Sequence, residues 1–111
     1  MKKTMLLALF AFIVSIFNVA YAGDSKRIAF FVSDMSNVFH QNQATVAQKY
    51  GMEKYGAEVV VFDGKADSAV MTQNVDQVAA GAFDGASLHI WDAEAAKPGV
   101  QDALADKIAM T

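Results

Sequence analysis

The residues of this chain best suited to chemistry lie in a polar stretch that directly follows an apolar one. The segment FFVSDMSNVFHQN, residues 30–42, changes abruptly from aromatic and aliphatic side chains to hydroxyls, carboxylates, amides and an imidazole. A tryptophan and an aspartate follow another apolar segment further along. These two places supply the candidate ligand-binding residues, which are Ser33, Asp34, Asn37, Phe39, His40, Trp91 and Asp92. Because carboxylates and amides hydrogen-bond hydroxyls while aromatic faces cover C–H surfaces, this set favours a small polyol such as a sugar.

Several of these residues also have a purely structural interpretation, and the sequence leaves both open. Asp92 and, after another apolar run, Asp63 could simply form turns, and Trp91 could be an ordinary packing residue at a strand end. Asn37 could be the N-cap of a helix, since asparagine accepts hydrogen bonds from the first helical N–H groups. His40 in the first turn of that helix could contact a ligand or only pack.

The sequence gives little support for a metal site, for catalysis or for a bound cofactor. His89, between two apolar residues, is interpreted as a structural histidine inside a strand and under a helix. Neither histidine has a second histidine or a cysteine at metal-ligand spacing, so no metal site is expected. Ser33, Asp34 and His40 could be arranged as a triad, but G-x-S-x-G is absent and proximity in sequence is weak support. G-x-G-x-x-G and P-loop patterns are also absent. We therefore expect neither an enzyme nor a bound cofactor.

The elements that would position these residues alternate between strands and helices. Strands are predicted for the apolar runs Arg27 to Val32, Ala57 to Phe62 and Ala86 to Trp91, with the opening of a fourth from Lys107 to Thr111. Helices are predicted for residues 37–55 with Gly56 as the cap, for a segment beginning at Asp67 or Ser68 with the stripe Met71, Val75, Val78, Ala79 and Ala82, and for Pro98 to Ala105. This alternation predicts an α/β fold, a parallel sheet with helices on both faces. In such sheets ligands bind at the carboxyl ends of the strands.

The N-terminus has the pattern of a secretory leader. The basic start Met-Lys-Lys precedes an apolar stretch over residues 5–17, and the small-x-small sequence Ala20-Tyr21-Ala22 follows. That order predicts a signal peptide over residues 1–22, cleaved after Ala22. A transmembrane anchor is the alternative, but a span needs about 20 apolar residues and this run is shorter. Export, most simply to a bacterial periplasm, is the expectation.

The 89 residues after the predicted cleavage point are mildly acidic and contain no cysteine. The leader takes two of the nine basic residues and none of the twelve acidic ones, so the net charge becomes −5. Scattered positive charges argue against a nucleic-acid partner, because phosphate binding needs clustered lysine and arginine. Without disulfide bonds, an exported domain of this size has to depend on its hydrophobic core.

Four segments in order resemble a known family. They are the strand IAFFVS at 28–33, the turn SNVF at 36–39 where the family often has Asn-Pro-Phe and a further aromatic, the passage KYGAEVVVFD at 54–63, and QNVDQ at 73–77. With these, Gly23 to Thr111 resembles the N-terminal lobe of type I periplasmic sugar-binding proteins, the ribose-binding-like components of bacterial ABC transporters. Family members have two lobes, so the resemblance implies that residues 23–111 are a truncated N-terminal lobe.

The resemblance also implies roles for individual residues. Asn37 would hydrogen-bond sugar hydroxyls, Phe39 would stack on the sugar ring, and His40 would take the place of the second family aromatic. Val38 replaces the usual proline and His40 replaces a larger ring, which points away from a simple ribose-like specificity. The implied partner is an inner-membrane permease, and the implied full-length protein is monomeric. The alternative is a periplasmic ligand-binding protein that feeds a chemotaxis or sensor-kinase system.

Overall fold

The computed structural model describes residues 25–111, which form a four-stranded sheet with three helices. In chain order the elements are β1 (Arg27–Val32), α1 (Val38–Tyr55), β2 (Glu58–Asp63), α2 (Ser68–Ala80), β3 (Gly85–Ser87), α3 (Ala93–Ala105) and β4 (Ala109–Met110). All strand pairs are parallel and the order across the sheet is β2-β1-β3-β4. The predicted α/β parallel-sheet fold is thereby confirmed. The predicted signal peptide, residues 1–22, lies outside the described residues.

One face of the sheet forms the main core with α2 and α3. Its fully enclosed side chains come from both helices, from β1 and β3, and from the segment before β4, and they are Ala29, Phe31, Met71, Val75, Val78, Ala86, Ala96, Ala103 and Ile108. Phe31 stacks on Phe62 with ring centroids 5.2 Å apart, because the parallel register of β1 and β2 places these residues side by side. Gly99 lets α3 approach α2 closely, since a Cβ there would lie 2.8 Å from Cγ1 of Val75.

The other face of the sheet is covered only in part, by α1. Gly51 of α1 lies against Val59 of β2, where an added Cβ would come within 2.6 Å of a valine methyl group. The spacing of apolar residues correctly predicts this helix, but its large side chains do not form a core face. Phe39, Val46 and Tyr50 are all more than half exposed, and the buried residues of α1 are Ala44 and Gly51.

Both ends of α1 and the start of α2 are fixed by caps that the sequence predicts. Asn37 Oδ1 accepts a hydrogen bond from the Phe39 N–H, and Gly56 closes α1 in the left-handed conformation with φ of 61°. Asp67 Oδ1 accepts from the backbone N–H groups of Ala69 and Val70 in the first turn of α2. The stripe of α2 is buried at Met71, Val75 and Val78, whereas Ala82 lies beyond the end of the helix.

The largest errors in the predicted boundaries are at the start of α3 and at the end of β3. Helix α3 begins at Ala93 rather than at Pro98, because Asp92 caps it through a 3.1 Å hydrogen bond from the Ala95 N–H. Pro98 is exposed inside the helix, where it has no N–H to donate to the backbone ladder. Strand β3 ends at Ser87 rather than at Trp91, because residues 88–91 leave the ladder with β1. None of the helices between residues 25 and 111 is both long and apolar enough to cross a membrane.

Candidate ligand-binding site at the carboxyl edge of the sheet

The carboxyl ends of three neighbouring strands meet at one edge of the sheet, as parallel pairing requires. The central strand β1 leads into the turn of residues 33–37, β2 leads into Asp63 and Gly64, and β3 leads into the loop of residues 88–92. Every residue predicted to bind ligand lies in these connections or in the first turn of α1. The edge is open to solvent: Phe39 is 63% exposed and Trp91 is 38% exposed.

Four ring side chains follow one another along this edge, and we call them the ring row: Phe39, His40, His89 and Trp91. The centroids of Phe39 and His40 lie 5.4 Å apart, those of His40 and His89 5.7 Å apart, and those of His89 and Trp91 6.1 Å apart. The first two pairs meet edge to face and the third is tilted. Edge-to-face packing is a favourable aromatic arrangement, so each ring helps to orient the next.

His89 is the residue of this row that the sequence interpretation misplaced. It is exposed in the loop after β3, not enclosed in a strand under a helix. The error follows from the strand boundary, because His89 would be an interior residue only if β3 continued to Trp91. The spacing of His89 from Trp91 is a signal that could have identified it as a site residue. Residues two apart in an extended segment point to the same side, as His89 and Trp91 do here.

His40 is held by both of its ring nitrogens. Its Nε2 lies 2.7 Å from Ser33 Oγ and its Nδ1 lies 2.9 Å from Gln43 Oε1. An amide oxygen only accepts hydrogen bonds, so Nδ1 carries the proton in the neutral ring and Nε2 accepts from the Ser33 hydroxyl. The hydrogen-bond partner of Nδ1 is therefore Gln43 and not Asp34, so Ser33, His40 and Asp34 are not linked as a triad.

Asp34 instead organises its own turn. Its Oδ1 accepts a 2.9 Å hydrogen bond from the backbone N–H of Ser36. Hydrogen bonding from the Ser36 backbone and side chain, together with the nearby positive potential of His40, lowers the pKa of the Asp34 carboxyl below its usual value. The carboxyl group is consequently an anion at neutral pH and a strong acceptor for hydroxyl donors.

Asp63 joins two of the three connections at the edge. Its Oδ1 accepts hydrogen bonds from the Met35 N–H at 3.1 Å and from the Lys65 N–H at 2.9 Å. Its backbone oxygen accepts from Nδ2 of Asn74, a polar side chain buried on α2. The turn-forming interpretation of Asp63 is thus confirmed, and its carboxylate fixes the β1–α1 turn against the β2–α2 turn.

Asn37 and Asp92 both act as helix caps without using all of their polar atoms. The cap interpretation of Asn37 is thereby confirmed, whereas Asp92 caps α3 instead of only forming a turn. Asn37 Oδ1 accepts from Phe39 and Asp92 Oδ1 accepts from Ala95. The amide nitrogen of Asn37 and the second oxygen of Asp92 make no hydrogen bond to residues 25–111. Each cap therefore keeps one polar atom that can meet a ligand.

Trp91 reaches across the carboxyl end of β1 to that of β2. Its indole lies on Gly64, which is buried, and an added Cβ there would come within 2.3 Å of the indole Cη2 and 3.0 Å of the Ser33 carbonyl oxygen. Glycine at this position leaves the space that the indole occupies. In the sequence, Gly64 stands out only as the second residue of the turn pair Asp63-Gly64. Its contact with Trp91 becomes visible only in the folded structure.

The described part of the chain contains no group of three or more histidine, cysteine or acidic side chains arranged to hold a metal ion. No protein-family model matches the chain, and no curated protein sequence is significantly similar to it.

Proposed function

We propose that this protein captures a small polar ligand, with a sugar as the leading class, at the carboxyl edge of its sheet. After export to the periplasm it would deliver that ligand to an ABC permease in the inner membrane. The observation that supports binding most directly is the convergence of the ring row with the polar groups of Asn37, Asp34 and Asp92 at one edge. Export and delivery rest on the leader and the family resemblance of the sequence.

The side chains at this edge suit both kinds of group that a sugar presents, its apolar C–H groups and its hydroxyls. Ring faces and edges cover the C–H groups of a pyranose or furanose. Hydroxyls can donate to the anionic carboxylate of Asp34 and accept from the free amide of Asn37. No bond of the ligand has to be broken for either contact, and the proposal is therefore one of binding without catalysis.

Charge narrows the ligand class further. Four carboxylates, those of Asp34, Asp63, Asp67 and Asp92, lie at the carboxyl ends of the strands or in the connections that follow them, against the single ammonium of Lys65. An anionic ligand such as a sugar phosphate would meet unfavourable electrostatic potential here. Neutral sugars are therefore favoured over acidic ones.

The binding proposal is tested by calorimetric titration of the protein with ribose, xylose, glucose, galactose and glucose 6-phosphate. At least one neutral sugar should bind, and glucose 6-phosphate should bind more weakly than glucose. Phe39→Ala should weaken binding roughly tenfold, the effect of losing about one aromatic contact. Val46→Ala is the matched control, because Val46 lies on the same helix and is also 63% exposed. Equal effects of the two substitutions, or no binding of any neutral sugar, would contradict the proposal.

Export and delivery are tested separately in the source bacterium. The periplasmic form should begin at Gly23, as read by N-terminal sequencing, and deletion of the gene should abolish high-affinity uptake of the labelled sugar. Normal uptake with a lost chemotactic or transcriptional response would favour a sensor instead. An uncleaved chain in the cytoplasm would contradict both versions.

A further inference from the structure

We infer from the ring row that the ligand has two linked rings, and that His89 and Trp91 form a second ring-binding subsite beside Phe39 and His40. The ligand class is then a disaccharide rather than a monosaccharide. This inference rests on the proposed function, because it names the sugar class that the same site would accept.

The length of the row is the first observation behind it. Three successive centroid separations of 5.4, 5.7 and 6.1 Å lead from Phe39 to Trp91. A pyranose ring is about as wide as one aromatic side chain, so a single sugar ring covers about one of these intervals. The remaining rings would face solvent beside a bound monosaccharide, whereas a second sugar ring would cover them.

The two halves of the row are held by different elements. Phe39 and His40 stand on the first turn of α1, while His89 and Trp91 stand on the loop between β3 and α3. Trp91 is fixed in place by its contact with Gly64, yet it keeps 38% of its surface exposed. A tryptophan that is positioned by the fold and still open to solvent is suited to contacting a ligand ring.

The hydrogen-bonding state of the two histidines is the second observation. Both ring nitrogens of His40 are engaged, by Ser33 and by Gln43. His89 makes no hydrogen bond to any other residue within the described range 25–111, and it is exposed. Its nitrogens are therefore available to donate to and accept from hydroxyls of a second sugar ring.

Trp91 is the only tryptophan of the chain, so its fluorescence reports on this subsite directly. The experiment compares matched probes on the same protein as the calorimetric titrations: glucose with maltose and cellobiose, galactose with lactose, and xylose with xylobiose. For at least one set, the disaccharide should bind roughly five- to tenfold more tightly than its monosaccharide. His89→Ala should remove this advantage, and Leu104→Ala, an exposed position on α3, should preserve it.

The outcomes separate this inference from the function on which it rests. Monosaccharide binding without a disaccharide advantage in any set would overturn the inference and leave the proposed function standing. A disaccharide advantage that persists in His89→Ala would also overturn it, because the second ring would then be held elsewhere. A lack of binding of every sugar in both calorimetry and fluorescence would contradict the proposed function itself and, with it, the inference.

Discussion

The indole of Trp91 lies on the backbone of Gly64, although the two residues follow strands that are separated by β1. A Cβ added to Gly64 would lie 2.3 Å from Cη2 and 3.1 Å from Cζ3 of the indole. The turn after β2 and the loop after β3 are thereby fitted to each other above the end of the central strand. A substitution at Gly64 should therefore alter the ligand site by displacing Trp91.

Gly64→Ala should displace Trp91, since contacts this short do not occur at real Cβ atoms. We expect the fluorescence emission of Trp91 to shift to longer wavelength as the indole becomes more exposed, and sugar affinity to fall. Gly56→Ala is the control: a Cβ there meets no atom within 4 Å, but the φ of 61° makes alanine strained by about 1–2 kcal/mol. That control should lower the free energy of unfolding and leave the emission spectrum unchanged. Identical spectra for wild type and Gly64→Ala would show that the indole is not held as described.

His40→Phe should change the order of ligand preference. Phenylalanine keeps a ring in the row but removes both nitrogens, so the Ser33 hydroxyl loses its 2.7 Å partner and becomes free to meet the ligand. The ranking of sugars by calorimetric affinity should differ between the variant and the wild type. Ser33→Ala is the companion variant, because it removes the same contact from the other side and retains the imidazole. An unchanged ranking in His40→Phe would mean that His40 only packs.

Asp63→Ala should destabilise the fold by about 1.5–3 kcal/mol, the range for hydrogen bonds to a charged group, because Met35 and Lys65 both donate to its Oδ1. Asp63→Asn retains an oxygen at that place and should cost less. Urea unfolding monitored by circular dichroism gives both values. Equal stability of the alanine variant and the wild type would contradict the role of Asp63 in joining the two turns.

The contribution of Asp34 to stability should depend on pH. Its pKa in the folded protein is lowered from the ordinary value of 3.8, so the ionised carboxyl stabilises the fold above that value. The contribution is lost as the pH falls through the lower folded pKa. Asp34→Asn should therefore be less stable than the wild type at pH 7, and the difference should shrink on acidification below pH 3.8. A difference in unfolding free energy that stays constant from pH 7 to pH 2.5 would rule out this account.

Most of the fold could be predicted from the sequence because it is determined locally. The apolar run of β1 and the caps Asn37, Gly56 and Asp67 are short-range signals, and the structure has them at the predicted positions. The end of β3 could not be predicted in the same way. Its apolar continuation looks like strand, and only the position of its neighbours in the sheet shows where pairing stops.

The residues of the candidate site also fall into two groups, those that the local sequence identifies and those that only the fold identifies. Phe39 and Trp91 were candidates because of their type and their place after apolar runs. His89 and Gly64 were not, because their importance lies in contacts between segments that are distant in sequence. The partner of His40 was likewise missed: Gln43 is only three residues away, but a glutamine in an exposed helical turn carries no distinctive signal.

The most direct test of the account is residue-specific: a sugar titration of the isotopically labelled protein, followed by amide and indole chemical shifts in NMR spectra. We expect the sugar to shift the signals of Ser33, Phe39, His40, Gly64 and the Trp91 indole in a saturable way. The signals of Asp102 and Asp106, near the opposite edge of the sheet, should stay in place. Saturable shifts centred on that opposite edge, or no shifts at the carboxyl edge with any sugar, would contradict the claim that this edge is the binding site.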